Sequence, residues 1–367
     1  MSHLDHTYAV ILAGGGGTRL WPKSRKKTPK QFLKLIGDKT MIEIAADRVS
    51  SLIPWDRVIV VTNELYKEEV HTLLPEVPVQ NIIAEPQKRD TALAMLVGAL
   101  YAQSKDPNAV VINLASDHIV TDKAEFLRVM KAASKVAYSQ DSLVTIGISP
   151  TRPATGFGYI KIGDDLEKVG KGLSLFKVDS FTEKPNESTA RGFIATGRYF
   201  WNANMYVWSA NSLVNAFKSH MPKMYTDTQL LSSLESSAFH KALPSLYEKS
   251  EAISVDYAIS ERAENLVLIP GDFGWDDVGD WKVVYELEKK DLSGNVIVSD
   301  HNENHTLAIS SHNNLIHSNG RLVALVGIDD MVIIDTEEIL MVIPKSRSQE
   351  VKKIVERLKE EKKSEYL

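Results

Sequence analysis

The sequence of 367 residues contains no cysteine. Disulfides, thiolate catalysis and cysteine-ligated zinc sites are therefore excluded, and the absence is in keeping with a reducing compartment. The chain also has no apolar run long enough to span a bilayer, and the segment from Met1 to Tyr8 lacks the apolar core of a signal peptide. We therefore expect a cytoplasmic protein that does not bind membranes.

A strong excess of charge of either sign is also missing, because 43 basic and 48 acidic side chains give a formal net charge of −5. A general nucleic-acid-binding protein would need a basic surface, so nucleic acid is not an expected partner. The apolar fraction of 43% is ordinary for a globular protein. The length favours one large domain with a smaller one.

Short apolar runs alternate with helical patterns in the first part of the chain. The runs that are apolar on both faces are Tyr8–Ala13, Arg57–Val61, Asn81–Ala84, Ala109–Leu114 and Leu143–Ile148. Such runs favour strands of a parallel sheet that is covered by helices. The alternation predicts βαβ units and a doubly wound α/β layer.

The pattern changes near Gly294, where short β-rich runs are separated by Asn, Asp and Gly. This pattern predicts a small β-rich domain, such as a short β-helix or roll. An amphipathic helix that includes Val351, Val355 and Leu358 follows it. We therefore expect a catalytic domain over residues 1–290 and a small domain over residues 291–367, which could support a homodimer.

A glycine-rich segment follows the first predicted strand directly. Open α/β sheets bind ligands at the carboxyl ends of their strands, and glycine amides can approach and hold phosphate oxygens. A Walker A loop would need Lys and Ser or Thr after the last glycine, and a dinucleotide-binding loop would need a later glycine, so neither motif is present. The candidate nucleotide-binding residues here are Leu12, Gly14, Gly15, Gly16, Gly17 and Thr18.

Basic side chains follow these glycines closely, at Arg19, Arg25, Lys26, Lys27 and Lys30. Fixed cations beside glycine amides suit a polyphosphate ligand. A solvated basic loop is the alternative interpretation.

The segments Gly14–Arg25 and Thr28–Leu33 resemble the signature of the sugar-nucleotide pyrophosphorylases, and Trp21-Pro22 with Pro29-Lys30-Gln31-Phe32 resembles the mannose-1-phosphate guanylyltransferase branch. The resemblance implies a mixed sheet of the GT-A-like nucleotidyltransferase type. It also implies a reaction of GTP with mannose 1-phosphate that gives GDP-mannose and pyrophosphate with Mg²⁺. In that family the residues matching Arg19 and Lys30 bind the triphosphate and stabilise charge at the α-phosphorus.

Two aspartates in distant segments are the candidate metal ligands. Asp117 follows a predicted strand, and Asp277 lies in Gly274-Trp-Asp-Asp-Val-Gly. Magnesium is usually held by one or two carboxylates together with phosphate oxygens, but either residue alone would more often be a cap or turn residue. The resemblance implies that Asp117 and Asp277 bind the metal. The sequence leaves Asp276 open as the alternative ligand, and we expect His118 to shape the loop rather than to bind the metal.

Three residues near the third predicted strand are candidates for base recognition. The resemblance places guanine recognition here, and a carboxylate of Glu85 or Asp90 could accept hydrogen bonds from N1–H and N2–H of guanine. Thr91 belongs to the same segment. The ordinary alternative is that Asp90 or Thr91 is the N-cap of the next helix.

Residues of four further segments are implied to bind the sugar phosphate. Asn204 stands where the family usually has glycine, although asparagine tolerates left-handed backbone geometry better than most residues. The implied residues are Gly156, Gly158, Glu183, Lys184, Asn202 and Asp256.

Two other functions remain open at this point. The chain could use UTP, dTTP or glucose 1-phosphate instead, or it could be a sugar-nucleotide sensor that kept the fold without catalysis. Some relatives carry an additional cupin-type isomerase domain. Since the sequence stops before such a domain, phosphomannose isomerase activity is not expected.

Overall fold

The computed structural model describes residues 2–299 and 305–367. Contacts group the chain into two compact units that are not continuous in sequence. The first comprises Met1–Gly14, Ala45–Ser116 and Val120–Trp275, and the second comprises Gly15–Ile44, Asp117–Ile119 and Asp276–Leu367. The domain division expected at residue 290 stays a prediction.

The strands up to residue 276 include those of a large sheet and two short strands. They are β1 (Thr7–Ala13), β2 (Val58–Asn63), β3 (Ile82–Glu85), β4 (Val110–Ala115), β5 (Ile119–Val120), β6 (Leu143–Ile148), β7 (Tyr159–Gly170), β8 (Leu173–Thr182), β9 (Tyr199–Ser209), β10 (Leu266–Gly271) and β11 (Trp275–Asp276).

The helices of the same part of the chain are α1 (Met41–Ser50), α2 (Lys67–Leu73), α3 (Asp90–Lys105), α4 (Lys123–Ser139), α5 (Glu187–Ala195), α6 (Ala210–His220), α7 (Pro222–Thr228) and α8 (Ser236–Lys249). A π-helical turn covers Asp256–Ser260.

Among the described residues, the sheet of the first unit has nine strands in the order β3-β2-β1-β4-β9-β6-β10-β8-β7. The pairs β1–β2, β1–β4, β2–β3 and β6–β10 are parallel, whereas β9 runs antiparallel between β4 and β6. This mixed sheet confirms the predicted α/β class. The apolar runs did not predict β9, because Asn202 and Asn204 interrupt its apolar pattern.

Helix α3 packs closely on strands β1, β2 and β4 of this sheet. Its residues from Ala92 to Ala102 are all buried, which explains why its sequence has almost no polar face. A Cβ atom on Gly98 would lie 2.7 Å from a methyl carbon of Val10, so only glycine lets the helix approach β1 this closely.

The second unit contains the strands β12 (Val296–Ser299), β13 (Thr306–Ile309), β14 (Leu315–Ser318), β15 (Val323–Val326), β16 (Met331–Asp335) and β17 (Leu340–Pro344), and the helices α9 (Trp281–Leu287) and α10 (Val351–Glu360). Successive strands stack in parallel, β12 on β14 on β16 and β13 on β15. This stacking confirms the predicted β-helix-like region.

Two buried asparagines join the turns of this β-helix-like region. Asn295 Oδ1 accepts hydrogen bonds from the backbone and side-chain nitrogens of Asn314, and Asn314 Oδ1 accepts one from the backbone of Met331. The side chain of each asparagine thus supplies a hydrogen-bond partner to backbone groups that would otherwise be buried without one. From the sequence alone, these asparagines were recognisable only as polar residues between predicted strands.

Of the described helices, none is both long and apolar enough to cross a membrane.

Candidate active site

The glycine loop begins after β1 and continues into the second unit at Gly15. Gly17 has a φ of +57°, and a Cβ atom there would lie 2.6 Å from the Cβ of Lys30 and 2.8 Å from the Oγ of Ser24. Glycine is therefore required for the loop to pack on Lys30. Residues Gly14, Gly15, Gly16 and Thr18 are exposed, which leaves this stretch of loop open to a ligand.

Lys30 joins the two candidate metal ligands within the second unit. Its side chain is 7% exposed, and Nζ donates a hydrogen bond of 2.8 Å to Asp117 Oδ2. The same ammonium group donates to the backbone carbonyl oxygen of Asp277. Two acidic residues that lie far apart in sequence therefore meet at one buried lysine.

Arg19 lies beside the second of these aspartates. A Cβ atom on Gly279 would lie 3.3 Å from Arg19 Nη1 and 3.1 Å from Asp277 Oδ1. The guanidinium group and the carboxylate thus flank the same glycine. A Cβ atom on Gly15 of the glycine loop would lie 3.8 Å from Asp117 Oδ2.

The two aspartates differ in their electrostatic surroundings. Burial alone would raise the pKa of Asp117, but the charge of Lys30, together with His118 and the Lys30 hydrogen bond, outweighs burial and lowers it. Burial raises the pKa of Asp277, and the carboxylates of Asp276 and Asp117 add to this effect against the opposing charges of Lys30 and His118. Additional positive charge would therefore be stabilised beside Asp277.

The donor set fits a magnesium ion that is completed by ligand oxygens. Two carboxylates are the usual protein contribution to a site in which phosphate and water supply the rest. No group of three or more His, Cys, Asp or Glu side chains suited to a metal occurs among residues 2–299 and 305–367. The cluster therefore suits a metal carried by a phosphate ligand better than a closed structural site.

Tryptophans that sequence reasoning did not assign hold this cluster in place. Trp281 Nε1 donates to the backbone oxygen of Trp21 at 3.0 Å, and Trp21 Nε1 donates to the backbone oxygen of Tyr366 at 2.8 Å. Asp280 caps α9 by accepting hydrogen bonds from the backbone nitrogens of Lys282 and Val283. The segments that carry Arg19 and Asp277 are thereby fixed to the core of the second unit.

Within the first unit, Glu85 lies at the end of β3 next to the start of the glycine loop. Its Oε2 is 3.8 Å from the position of a Cβ atom on Gly14, and Oε1 accepts a hydrogen bond of 3.1 Å from Tyr247 Oη. Burial raises the pKa of Glu85 to about 7, although Tyr247 and Lys88 oppose the shift. Leu12, in the same unit, lies on β1 and accepts a backbone hydrogen bond from Ser116.

Neither Asp90 nor Thr91 is the N-cap of α3, which was the alternative to a role in base recognition. Arg89 occupies the N-cap position, and α3 begins at Asp90. Asp90 is exposed, has a φ of +62° and accepts a hydrogen bond from the backbone nitrogen of Thr91. Thr91 Oγ1 instead accepts one from the backbone of Val255. Of the two candidate carboxylates, only Glu85 combines burial with closeness to the glycine loop.

Glu183, Lys184 and Gly158 lie together in the first unit. Glu183 Oε1 pairs with Lys184 Nζ at 2.5 Å, and a Cβ atom on Gly158 would lie 2.6 Å from Glu183 Oε2. Gly158 is therefore needed for Glu183 to take this position. Gly156 lies in the exposed loop before β7.

Asn202 and Asp256 belong to one buried hydrogen-bond network in the first unit. Asn202 Nδ2 lies 2.9 Å from Asp256 Oδ1 and 3.0 Å from Tyr206 Oη, and Tyr206 Oη also donates to Asp256 Oδ1. Burial raises the pKa of Asp256, while Tyr206 and Asn202 oppose this and Glu183 adds to it. Tyr206 was not among the predicted residues, because the sequence shows it only as one of several aromatic residues.

Asn204, which stands where the family usually has glycine, has a left-handed backbone conformation. Its φ is +50°, in the left-handed region that asparagine tolerates. Its backbone nitrogen donates to Asn202 Oδ1 at 3.1 Å. Asparagine at this position of β9 therefore adopts a left-handed backbone conformation that glycine also allows.

Comparisons with known proteins agree on one family. The family model for nucleotidyl transferase matches residues 8–294, and the model for the mannose-phosphate isomerase/GMP-like β-helix domain matches residues 304–358. Mannose-1-phosphate guanylyltransferase 2 of Escherichia coli O157:H7 is 35% identical over 98% of this chain and 75% of its own length. Mannose-1-phosphate guanylyltransferase of Salmonella montevideo is 36% identical over the same shares.

A solved structure from Thermus thermophilus, which bears the name mannose-1-phosphate geranyltransferase, aligns with a TM-score of 0.85 and 28% identity. The alignment covers 96% of this chain and 99% of that one. The agreement extends over both the α/β sheet and the β-helix-like region. The chain therefore belongs to the nucleotidyl transferase family, in the branch of the mannose-1-phosphate guanylyltransferases, and is an enzyme of that type.

Proposed function

We propose that the protein transfers the guanylyl group of GTP to mannose 1-phosphate, which gives GDP-mannose and pyrophosphate. The names of the two curated relatives described above support this choice of substrates. The observation that carries the chemistry is the contact of Lys30 with both Asp117 and Asp277, beside Gly17 of the glycine loop. A lysine, an arginine and two carboxylates grouped in this way suit a triphosphate and its metal ion.

The reaction requires no strong general base, because the attacking phosphate oxygen of mannose 1-phosphate is already anionic. That oxygen forms a new bond to the α-phosphorus of GTP, and the bond from the α-phosphorus to the oxygen that bridges to the β-phosphorus breaks. Pyrophosphate leaves with the electron pair of that bond. Catalysis then consists of alignment and charge neutralisation.

The cations of the second unit are assigned to this charge neutralisation. Arg19 and Lys30 would bind the phosphate oxygens and stabilise the negative charge that grows at the α-phosphorus. The backbone amides of Gly15, Gly16 and Thr18 would orient the triphosphate. Gly17 has the separate task of letting the loop pack on Lys30.

Asp117 and Asp277 would hold Mg²⁺. When bound, the ion would neutralise and orient the phosphate oxygens. Asp276 is the alternative ligand, and its neighbour Val278 donates a backbone hydrogen bond to Asp276 Oδ1 at 2.9 Å. Because that carboxylate already organises its own turn, Asp277 is the better choice of the two.

Base selection is assigned to Glu85 of the first unit. When ionised, its carboxylate can accept both N1–H and N2–H of guanine, a pair of donors that adenine does not offer. Asp90 and Thr91 would order the neighbouring turn. Removing one partner of such a hydrogen-bonded pair costs about 1–3 kcal/mol, which is enough to set a preference for GTP.

Sugar selection is assigned to the two polar clusters of the first unit. Glu183 and Lys184 would bind sugar hydroxyl and phosphate oxygens, with the backbones of Gly156 and Gly158 lying against the sugar. Asn202 is hydrogen-bonded to protein groups through both amide atoms. Asn202 and Asp256 would therefore shape the sugar pocket as one hydrogen-bonded unit.

A screen of pyrophosphate release over pairs of nucleotide and sugar 1-phosphate tests the proposal. GTP, ATP, UTP and dTTP would each be offered with mannose 1-phosphate and with glucose 1-phosphate in the presence of Mg²⁺. We expect the highest kcat/KM with GTP and mannose 1-phosphate. A different best pair would contradict the assigned substrates, and GDP-mannose binding without pyrophosphate release from any pair would contradict catalysis.

A further inference from the structure

A buried tyrosine that no motif indicated holds one oxygen of the Glu85 carboxylate. Tyr247 lies near the end of α8, is fully buried, and donates from Oη to Glu85 Oε1 at 3.1 Å. The other oxygen, Oε2, is the one that lies 3.8 Å from the Cβ position of Gly14. The carboxylate is thus held by the protein on one side and directed to the start of the glycine loop on the other.

The backbone around Tyr247 is tied to the turn that follows Glu85. Arg89 Nε donates to the backbone oxygen of Tyr247 at 2.7 Å. The backbones of Ile253 and Arg89 are joined by a hydrogen bond of 3.4 Å, and Ala92 donates to the oxygen of Ile253 at 3.2 Å. These contacts fix the position of the tyrosine relative to β3 and α3, so its hydroxyl has little freedom to follow a moving carboxylate.

The tyrosine hydroxyl also affects the charge of the carboxylate. A hydrogen bond donated to a carboxylate favours the ionised form, and only the ionised form can accept two donors without presenting its own proton. Burial raises the pKa of Glu85 to about 7, the Tyr247 hydrogen bond and the Lys88 charge lower it, and the Asp90 charge raises it. The carboxyl group therefore titrates close to neutral pH.

The inference rests on the proposed preference for GTP. We propose that Tyr247 is a positioning residue for base selection, whose hydroxyl holds the Glu85 carboxylate in one orientation and presents its second oxygen to the N1–H and N2–H edge of guanine. Tyr247 does not itself touch the nucleotide.

The test is a comparison of Tyr247→Phe with the wild-type enzyme, in which kcat and KM for GTP are measured between about pH 6 and pH 9. The phenyl ring keeps the packing and removes the donor. We expect KM for GTP at neutral pH to rise about tenfold, the cost of one hydrogen bond to a charged group, with little change in kcat. The midpoint of the pH dependence of kcat/KM should move to higher pH, because the carboxylate loses a group that favours ionisation.

Tyr101→Phe is the matched control. Tyr101 is also fully buried, and its hydroxyl contacts Ser236 Oγ at 3.1 Å rather than a carboxylate. Its removal should leave KM for GTP and the pH midpoint unchanged. If Tyr247→Phe lowered kcat equally for every nucleotide and left the midpoint where it is, Tyr247 would be a packing residue and the inference would be wrong.

Glu85→Gln separates this inference from the function on which it rests. Loss of the GTP preference in Glu85→Gln, with normal KM and pH midpoint in Tyr247→Phe, would overturn the role of Tyr247 alone. A wild-type enzyme that releases no pyrophosphate from GTP, or that does not prefer GTP over ATP, would overturn the proposed function and the inference with it.

Discussion

Lys30 contacts two acidic residues that are 160 positions apart in sequence, Asp117 and Asp277. The sequence alone predicted a basic loop and two turn aspartates, and only the family resemblance joined them. No periodicity or spacing rule links residues so distant in the chain, because their meeting depends on tertiary structure. Tyr247 was not predicted to contact Glu85, because neither a sequence motif nor the family resemblance pointed to this tyrosine.

Lys30→Ala should greatly reduce turnover while the fold persists. The variant removes a cation that is aimed at developing charge, and the loss of one such group costs a factor of about 100–1000 in kcat. The measurement is the initial rate of pyrophosphate release, with circular dichroism to verify folding. Lys34→Ala, which removes an exposed lysine four residues further along the chain, should retain the wild-type rate. Near-normal turnover in Lys30→Ala would exclude the assigned role.

Glu85→Gln should stabilise the protein in a pH-dependent manner. Burial raises the pKa of the folded carboxyl to about 7 from an unfolded value of 4.5. Wild-type stability therefore falls as pH rises from the unfolded to the folded pKa, and the loss is complete above the folded value. At pH 8 the variant should gain up to about 3 kcal/mol.

Urea unfolding at a series of pH values measures this difference. The gain should disappear below the unfolded pKa, where both states carry a neutral carboxyl group. A gain that does not change with pH would mean that ionisation of Glu85 is not its cause.

Among the strands, some are predictable from the sequence and others are not. The strands β1, β2, β3, β4 and β6 follow from their apolar runs, because they are buried on both faces. Strand β14 does not follow from its sequence in the same way, because only two of its four buried residues, Leu315 and Ile316, are apolar.

The hydrogen bonds of Trp21 and Trp281 in the second unit can be tested by substitution. In Trp21→Phe the ring stays apolar but the hydrogen bond to the backbone of Tyr366 is lost. We expect a loss of about 1 kcal/mol in the free energy of unfolding. Turnover should fall several-fold, because misplacement of catalytic groups by even a fraction of an ångström slows an alignment-dependent reaction.

Thermal unfolding and pyrophosphate release measure the two effects in the same sample. Trp55→Phe is the control, since Trp55 lies in the first unit in a 3₁₀ turn before β2. A change in Trp21→Phe that is no larger than the change in Trp55→Phe would show that this contact does not support catalysis.

For the whole molecule, the sequence predicted the α/β sheet and the β-helix-like region, and both are confirmed. The antiparallel direction of β9 was not predictable, because strand direction depends on neighbours that are distant in sequence. The homodimer and the individual site residues stay predictions. The central claim is that one cluster in the second unit, Arg19, Lys30, Asp117 and Asp277, binds a triphosphate and its magnesium ion.

The most direct test is the rate of pyrophosphate release from GTP and mannose 1-phosphate, measured against Mg²⁺ concentration for the wild-type enzyme, Asp117→Asn and Asp277→Asn. These variants keep the size of the side chain and remove its charge. We predict that the wild-type rate requires Mg²⁺ and that each variant loses a factor of at least about 100 at saturating Mg²⁺. Wild-type rates in both folded variants would contradict the account.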